Sequence, residues 1–235
     1  DVIPVTPLSL ARQHRVFHTG MAVAFLVTAL VGFAPTYFLK PVRPSPPLNV
    51  PLHIHGLVFT SWLLLLTQSA LVARRRVDLH KRLGIAGVVL AAAMIPLGIM
   101  TAVYAAHRGT TTPGMEPLAF MVFPVGAVLM FAGFFGAALW NRRKPEIHRR
   151  LILLATISSI TPAISRWPWV NHRAVLALLL SLIFVLAGMI HDWKSRGRVH
   201  PLYLRGGLIV LLSGPGRAAI GNTAAWQSFA RFRVE

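Results

Sequence analysis

The sequence lacks cysteine entirely and contains only 6 acidic residues among 235. Without cysteine, disulfides, thiolate metal sites, iron–sulfur clusters and cysteine nucleophiles are all excluded. The acids between the termini are Asp78, Glu116, Glu146 and Asp192, and none lies in the interior of an apolar segment. Catalysis by paired carboxylates and carboxylate-bridged metal sites are therefore not expected. The sequence leaves open whether the protein is an enzyme.

Basic residues are abundant by comparison, since 24 Lys and Arg give a formal net charge of +18. The chain is nevertheless only 13% charged and 55% hydrophobic, and its mean hydropathy is +0.62. Proteins that bind nucleic acid in solution carry more charge and fewer apolar residues. This composition predicts a membrane protein and no nucleic-acid partner.

Seven apolar segments are long enough to cross a bilayer, which takes about 20 helical residues. They cover residues 16–38, 51–73, 83–105, 116–140, 149–167, 173–190 and 201–220. We expect the fifth, with Pro162 and many hydroxyl groups, to be kinked and buried among the others. Glycines and Pro215 interrupt the seventh, so a broken or re-entrant helix is an alternative to a full span there.

These segments predict an all-α integral membrane fold, a seven-transmembrane-helix bundle of one leading helix plus three hairpins. The bundle takes residues 1–221, and residues 222–235 form a C-terminal interfacial amphipathic segment. Of the 24 basic residues, 15 flank the side on which the chain begins. The positive-inside rule then predicts a bacterial inner membrane protein with a cytoplasmic N-terminus and a periplasmic C-terminus. Anionic lipids are the expected partners of the cytoplasmic basic loops.

An internal repeat carries histidine at a fixed place. RRRVDLHKRL at 74–83 aligns without gaps to RRKPEIHRRL at 142–151, which places His80 and His148 at equivalent positions. A looser third copy, RGRVHPLYL at 196–204, contains His200. The acid of each close copy fits the first turn of a helix, but neither helix capping nor lipid attraction needs an imidazole. The repeat therefore predicts a parallel internal symmetry with histidines at one membrane face.

Those histidines are the candidate cofactor ligands. His80 and His148 can be axial ligands of one haem b, or with His200 three ligands of a metal ion. His53 and His55, at the start of the second segment, are candidates for a second site on the opposite face. The alternative is that all five are ordinary helix-end residues in basic or polar loops.

Three functions stay open on these residues. The first is a haem- or metal-binding protein of electron transfer, or a subunit of a membrane redox complex. The second is a non-redox, transporter-like protein that binds a small molecule or lipid in a cavity along the polar second segment. The third is an accessory structural subunit of a larger membrane complex, with protein partners and no chemistry of its own.

The chain resembles a family of bacterial multi-pass membrane proteins without an assigned activity. The resemblance rests on FAPTYFLKP (33–41), HIHGLVFTSW (53–62), DLHKRLG (78–84), EIHRRLILLATIS (146–158) and RVHPLYLRGG (198–207). The start His-Lys-Arg-Leu-Gly at 80–84 is similar to a larger group of domains of unknown function marked by a His-Arg-x-x-Gly helix start. A looser similarity to di-haem cytochromes b implies histidine-ligated haem, although the fourth and sixth segments here contain no histidine.

Overall fold

The structure is a computed structural model that describes residues 7–39, 48–68 and 76–234. Its helices are α1 (Pro7–Phe33), α2 (Val50–Leu65), α3 (Val77–His107), α4 (Pro117–Phe120), α5 (Val122–Trp140), α6 (Pro145–Ser165), α7 (Ala174–Arg196), α8 (Pro201–Gly221) and α9 (Ala224–Val234). A π-helical turn follows α1, and a 3-10 turn follows α2. No strand occurs in these residues, which confirms the predicted all-α class.

Four helical segments are long and apolar enough to cross a membrane. They are Arg12–Phe38, Val77–His107, Pro117–Trp140 and Ala174–Arg196. They correspond to the first, third, fourth and sixth segments predicted from the sequence. Several spans of this kind identify the protein as membrane-like, because a soluble core does not need apolar helices of such length.

The other three predicted spans are helical, but they do not meet the combined criteria of length and apolar composition that identify the four candidate spans. The second becomes α2, an apolar helix of 16 residues. The fifth and seventh become α6 and α8, with 21 residues each. A bundle of seven transmembrane helices therefore remains a prediction. The helix α8 runs without a break through Pro215, so the broken-helix alternative for this segment is wrong.

Some sequence predictions fall outside the described residues. These are the end of the second segment at 69–73, Arg74 and Arg75 of the first repeat copy, and residues 1–6 and 235 of the two predicted domains. Within the description, α3 and α6 each begin three residues before their repeat histidine, His80 and His148. The internal repeat as a symmetry of the whole bundle stays a prediction.

The helix α6 is the centre of the fold, as its hydroxyl-rich sequence predicts. It packs against α1, α5, α7 and α8, and Leu154, Ala155 and Ile157 are fully buried within it. Its Thr156 hydroxyl donates to the carbonyl of Ile152 and accepts from the Trp62 indole at 3.2 Å. Polar side chains in this helix are therefore satisfied inside the protein, where lipid would leave them without partners.

Glycine allows α1 to approach α6 very closely. A Cβ atom built on Gly32 would lie only 2.1 Å from the carbonyl oxygen of Ala163 and 3.0 Å from its Cα. Both obstructing atoms are backbone, so no side-chain rotation can make room. Gly20, earlier in the same helix, has nothing within 4 Å of the corresponding position.

We predict that Gly32→Ala destabilises the protein by about 1–3 kcal/mol, because the new methyl group forces α1 away from α6. Thermal unfolding of the detergent-solubilised protein measures this as a lower Tm. The matched control is Gly20→Ala, which meets open space and gains helix propensity of about 0.5–1 kcal/mol. Equal Tm values for the two variants would contradict the close approach of α1 and α6.

Candidate functional site

Six helix ends meet at one end of the bundle, which we call the basic end. These are the starts of α1, α3, α6 and α8 and the ends of α5 and α7. Contacts between the helices show that these ends lie together. The His14 ring of α1 bonds to that of His191 of α7, and Arg150 of α6 bonds to Asp192 of α7. Every candidate ligand of the predicted cytoplasmic face, His80, His148 and His200, belongs to this end.

A buried ion pair joins three helices at the basic end. The guanidinium of Arg150 on α6 donates to both carboxylate oxygens of Asp192 on α7, with Nε 2.9 Å from Oδ2. Both side chains are 2% exposed. Asp192 Oδ2 also accepts the backbone N–H of His200, the residue that caps α8, at 3.2 Å. The pair therefore fixes α6, α7 and the start of α8 relative to one another.

Glu146 extends this pair into a network of charges. Its carboxylate accepts from Arg149 at 2.7 Å and from Arg150 at 3.0 Å, and it pairs with Arg196 of α7. Burial alone would raise the pKa of Glu146, but Arg149, Arg150 and Arg196 lower it below its ordinary value. The expected first-turn acid of the repeat is thus a junction between helices, and the N-cap residue Lys144 makes no side-chain capping bond.

Both repeat histidines lie at this end. His148 Nδ1 is 2.8 Å from the carbonyl oxygen of Ala138 at the end of α5. A carbonyl only accepts, so Nδ1 carries the proton, and in a neutral ring Nε2 holds the lone pair. His80 occupies the same position in the first turn of α3 as His148 does in α6. His80 Nδ1 is buried and has no hydrogen-bond partner.

His200 takes a different role from the other two. It is the N-cap of α8, and its Nδ1 accepts the backbone N–H of Leu202 at 3.2 Å. Burial and Arg150 lower its pKa. Among the described residues, no group of three or more histidine, aspartate or glutamate side chains is placed to hold a metal ion. The described residues therefore do not form the three-ligand metal site of His80, His148 and His200.

At the opposite end, the structure separates the two histidines of α2. His53 is exposed, and its Nδ1 lies 3.3 Å from the hydroxyl of Tyr37. His55 is half-buried and lies beside Phe59, with 4.1 Å between ring centroids and a tilt of 32°, and its buried Nδ1 has no partner. Of the two residues predicted for a second site, His55 therefore has the nitrogen that a ligand can use.

A third group of imidazoles at the basic end was missed by the sequence analysis. His14 Nδ1 and His191 Nε2 are 2.8 Å apart, and the ring of Phe17 stacks on His191 with centroids 4.0 Å apart. His18 lies 6.2 Å from His191 by ring centroids and has a buried, unpartnered Nε2. The signal in the sequence was the i, i+4 spacing of His14 and His18, which places them on one face of α1. Their partner His191 could not be identified without the fold.

We predict that Asp192→Asn destabilises the protein by about 3–5 kcal/mol, because it leaves the Arg150 charge buried without its counter-ion. The measurement is thermal unfolding in detergent. The double variant Arg150→Met/Asp192→Leu serves as the control, since removing both charges avoids the unpaired state and should cost clearly less than Asp192→Asn. A single variant as stable as the wild type would mean that the pair does not hold these helices.

Comparison with known proteins adds no relative, since no family model, curated protein or solved structure matches the chain. The resemblances drawn from the sequence motifs accordingly stay predictions. What the site can do has to be inferred from the chemistry of its own residues.

Proposed function

We propose that this is a bacterial inner membrane protein that binds haem b between His80 and His148 and takes part in electron transfer, alone or in a membrane redox complex. One observation carries the proposal. His80 has a buried Nδ1 without a partner, and His148, at the same end of the bundle, has its ring held by the Ala138 carbonyl through Nδ1, which leaves Nε2 to face a ligand. An unpartnered buried nitrogen costs about 1–3 kcal/mol, which a bound group would recover.

Haem suits this pair better than a bare metal ion does. The porphyrin supplies four of the ligands of its iron, so one or two histidines from the protein are sufficient. A metal ion held by protein alone needs three or four ligands, and the described residues offer no such group. The near absence of free carboxylates at the basic end, where Glu146 and Asp192 are paired with arginines, favours the same choice.

The hydrogen bond from His148 to Ala138 is the kind of support that an axial ligand requires. A ligating imidazole usually donates its other N–H to a carbonyl or carboxylate, which fixes the tautomer and the orientation of the ring. The Ala138 carbonyl is near the end of α5, where helical carbonyls lack partners within the helix. The end of α5 therefore orients the His148 ring through a backbone carbonyl, and no second side chain is needed for this role.

Space and charge beside His80 also fit the proposal. Gly84 lies one turn after His80 on the same face of α3, and a Cβ atom there would have nothing within 4 Å. The open position allows a flat ring to approach the helix. Lys81 and Arg82, both exposed, can pair with the two propionates. Bound haem would supply reversible one-electron transfer, while the protein binds it, orients it and surrounds it with apolar helices.

A second site at the opposite end is part of the proposal, with His55 as its ligand and His53 as a surface neighbour. The non-redox alternative rests on the polar residues of α2 alone. The small void of about 10 Å³ beside Phe59 and Ser159 is lined mainly by apolar side chains and does not bear on it. The placement of the basic end in the cytoplasm follows from the positive-inside rule.

We predict that the protein, expressed with haem available and purified in detergent, shows a Soret band, and that His80→Ala and His148→Ala each lower the haem-to-protein ratio at least tenfold. The change removes an axial ligand and leaves the apolar helices in place. The control is His107→Ala at the exposed far end of α3, which should keep the wild-type spectrum. A wild-type protein without a Soret band, or an equal loss in all three variants, would refute the haem site.

We further predict that Gly84→Leu abolishes haem binding without touching a ligand, because its side chain fills the open position beside His80. The readouts are the Soret absorbance and the Tm of the haem-free protein. Gly20→Leu provides the matched control, since Gly20 also faces open space but belongs to α1. If Gly84→Leu keeps its haem while His80→Ala loses it, the ring does not approach α3 at this position.

A further inference from the structure

A groove opens between α1 and α7 at the basic end, away from His80 and His148. Its volume is about 570 Å³, within the range of about 300–1,000 Å³ typical of ligand sites. Six side chains line it: Arg12, Gln13, Val16, Phe17, His191 and Lys194. No acidic residue is among them, so the positive charges of Arg12 and Lys194 are not balanced within the groove.

The walls change from charged to apolar over a short distance. The contact between His14 and His191 aligns α1 with the antiparallel α7, which places Arg12 and Lys194 on the same outer side of that contact. Val16 lies four residues further into α1, about 6 Å along a helix, and is 66% exposed. The groove therefore begins with cations at the end of the bundle and continues over an apolar surface toward the membrane interior.

Stacked rings form the inner wall of the groove, and the Asp192 carboxylate beside it points into the bundle. The rings of Phe17 and His191 stack with an interplanar angle of 2°, and His14 holds His191 from the other side. Asp192 follows His191 directly but is 2% exposed and bonded to Arg150 inside the bundle. An anion in the groove would thus meet two cations without repulsion from this acid.

We propose that the groove binds the headgroup of an anionic phospholipid. The phosphate lies between Arg12 and Lys194, the Gln13 amide bonds to a headgroup hydroxyl, and the acyl chains leave over Val16 and Phe17. The observations that identify the occupant are the unbalanced cations, the apolar exit and the position at the end of two membrane-like helices. A free anion would use the cations only, and a neutral lipid would use the apolar exit only.

Native mass spectrometry of the full-length protein in detergent tests this proposal by titration with phosphatidylglycerol and with phosphatidylcholine of the same acyl chains. We expect the wild type to bind phosphatidylglycerol at least tenfold more tightly. Arg12→Gln/Lys194→Gln should weaken that binding roughly 30-fold, at about fivefold for each basic residue near an anionic headgroup. The control Arg142→Gln/Arg143→Gln removes the same charge from exposed residues outside the groove and should change binding less than threefold.

Two further measurements separate the groove from general charge and from free phosphate. Val16→Trp fills the apolar exit and keeps both cations, so it should also weaken phosphatidylglycerol binding. Glycerol phosphate without acyl chains should bind far more weakly than the lipid. Equal loss in the control, unchanged binding in Val16→Trp, or equal affinity for glycerol phosphate would each overturn the proposal. Haem absorbance is measured separately, so failure here is distinguishable from failure of the haem site.

Discussion

The buried pair of Arg150 and Asp192 is the contact on which the arrangement of the basic end depends. Arg150 lies two residues after His148, and Asp192 directly follows His191 and binds the N–H of His200. One interaction therefore sets the positions of three histidines on three helices. Because both groups are inaccessible to water, a shift of either helix would leave a buried charge without its partner, which is far more costly than a lost surface contact.

The sequence alone predicts much of the fold, for reasons visible in particular helices. The third and fourth segments are continuous apolar runs, so length and hydropathy suffice to identify them. The central place of α6 was also predictable, because Thr156 and its other hydroxyls need partners that lipid cannot give. The pairing of Arg150 with Asp192 was not, since 42 residues separate them and no periodicity connects them. From the sequence, Arg150 is only one of the basic residues that predict the membrane orientation, and Asp192 is only an acid in a predicted loop.

In the candidate site, too, the sequence predicts some features and not others, and the difference concerns single nitrogen atoms. The repeat identifies His80 and His148 as equivalent and adds His200 as a third member. It does not reveal that His200 uses its Nδ1 to cap α8, or that His80 has no partner for its own. Those outcomes depend on which backbone groups the neighbouring helices present. Spacing thus finds the candidates, and only packing separates a capping histidine from a ligand.

At the opposite end of the bundle, backbone carbonyls hold two arginines. Two of the few acids in the chain can therefore serve the basic end. Arg166 and Arg217 are half-buried at the opposite end, yet no carboxylate acts on either in the described part of the chain. Arg166 instead donates to the carbonyl of Pro162 at 2.6 Å, and Arg217 to those of Ser213 and Phe123. The Pro162 carbonyl belongs to the last turn of α6, where carbonyls are partly negative and lack partners within the helix, so it can hold a cation in place of an acid. The carbonyls of Ser213, inside α8, and Phe123, in the first turn of α5, each have a second lone pair that can accept from Arg217.

The side chain of Arg217 needs room against α5, and Gly126 provides it. A Cβ atom on Gly126 of α5 would lie 2.3 Å from Cδ of Arg217, so the arginine stem reaches α5 only because this position has no side chain. The opposite end thus holds its cations with backbone oxygens and small residues. Glu146 and Asp192 are thereby free to join α6, α7 and α8 at the basic end, where the histidines need fixed positions.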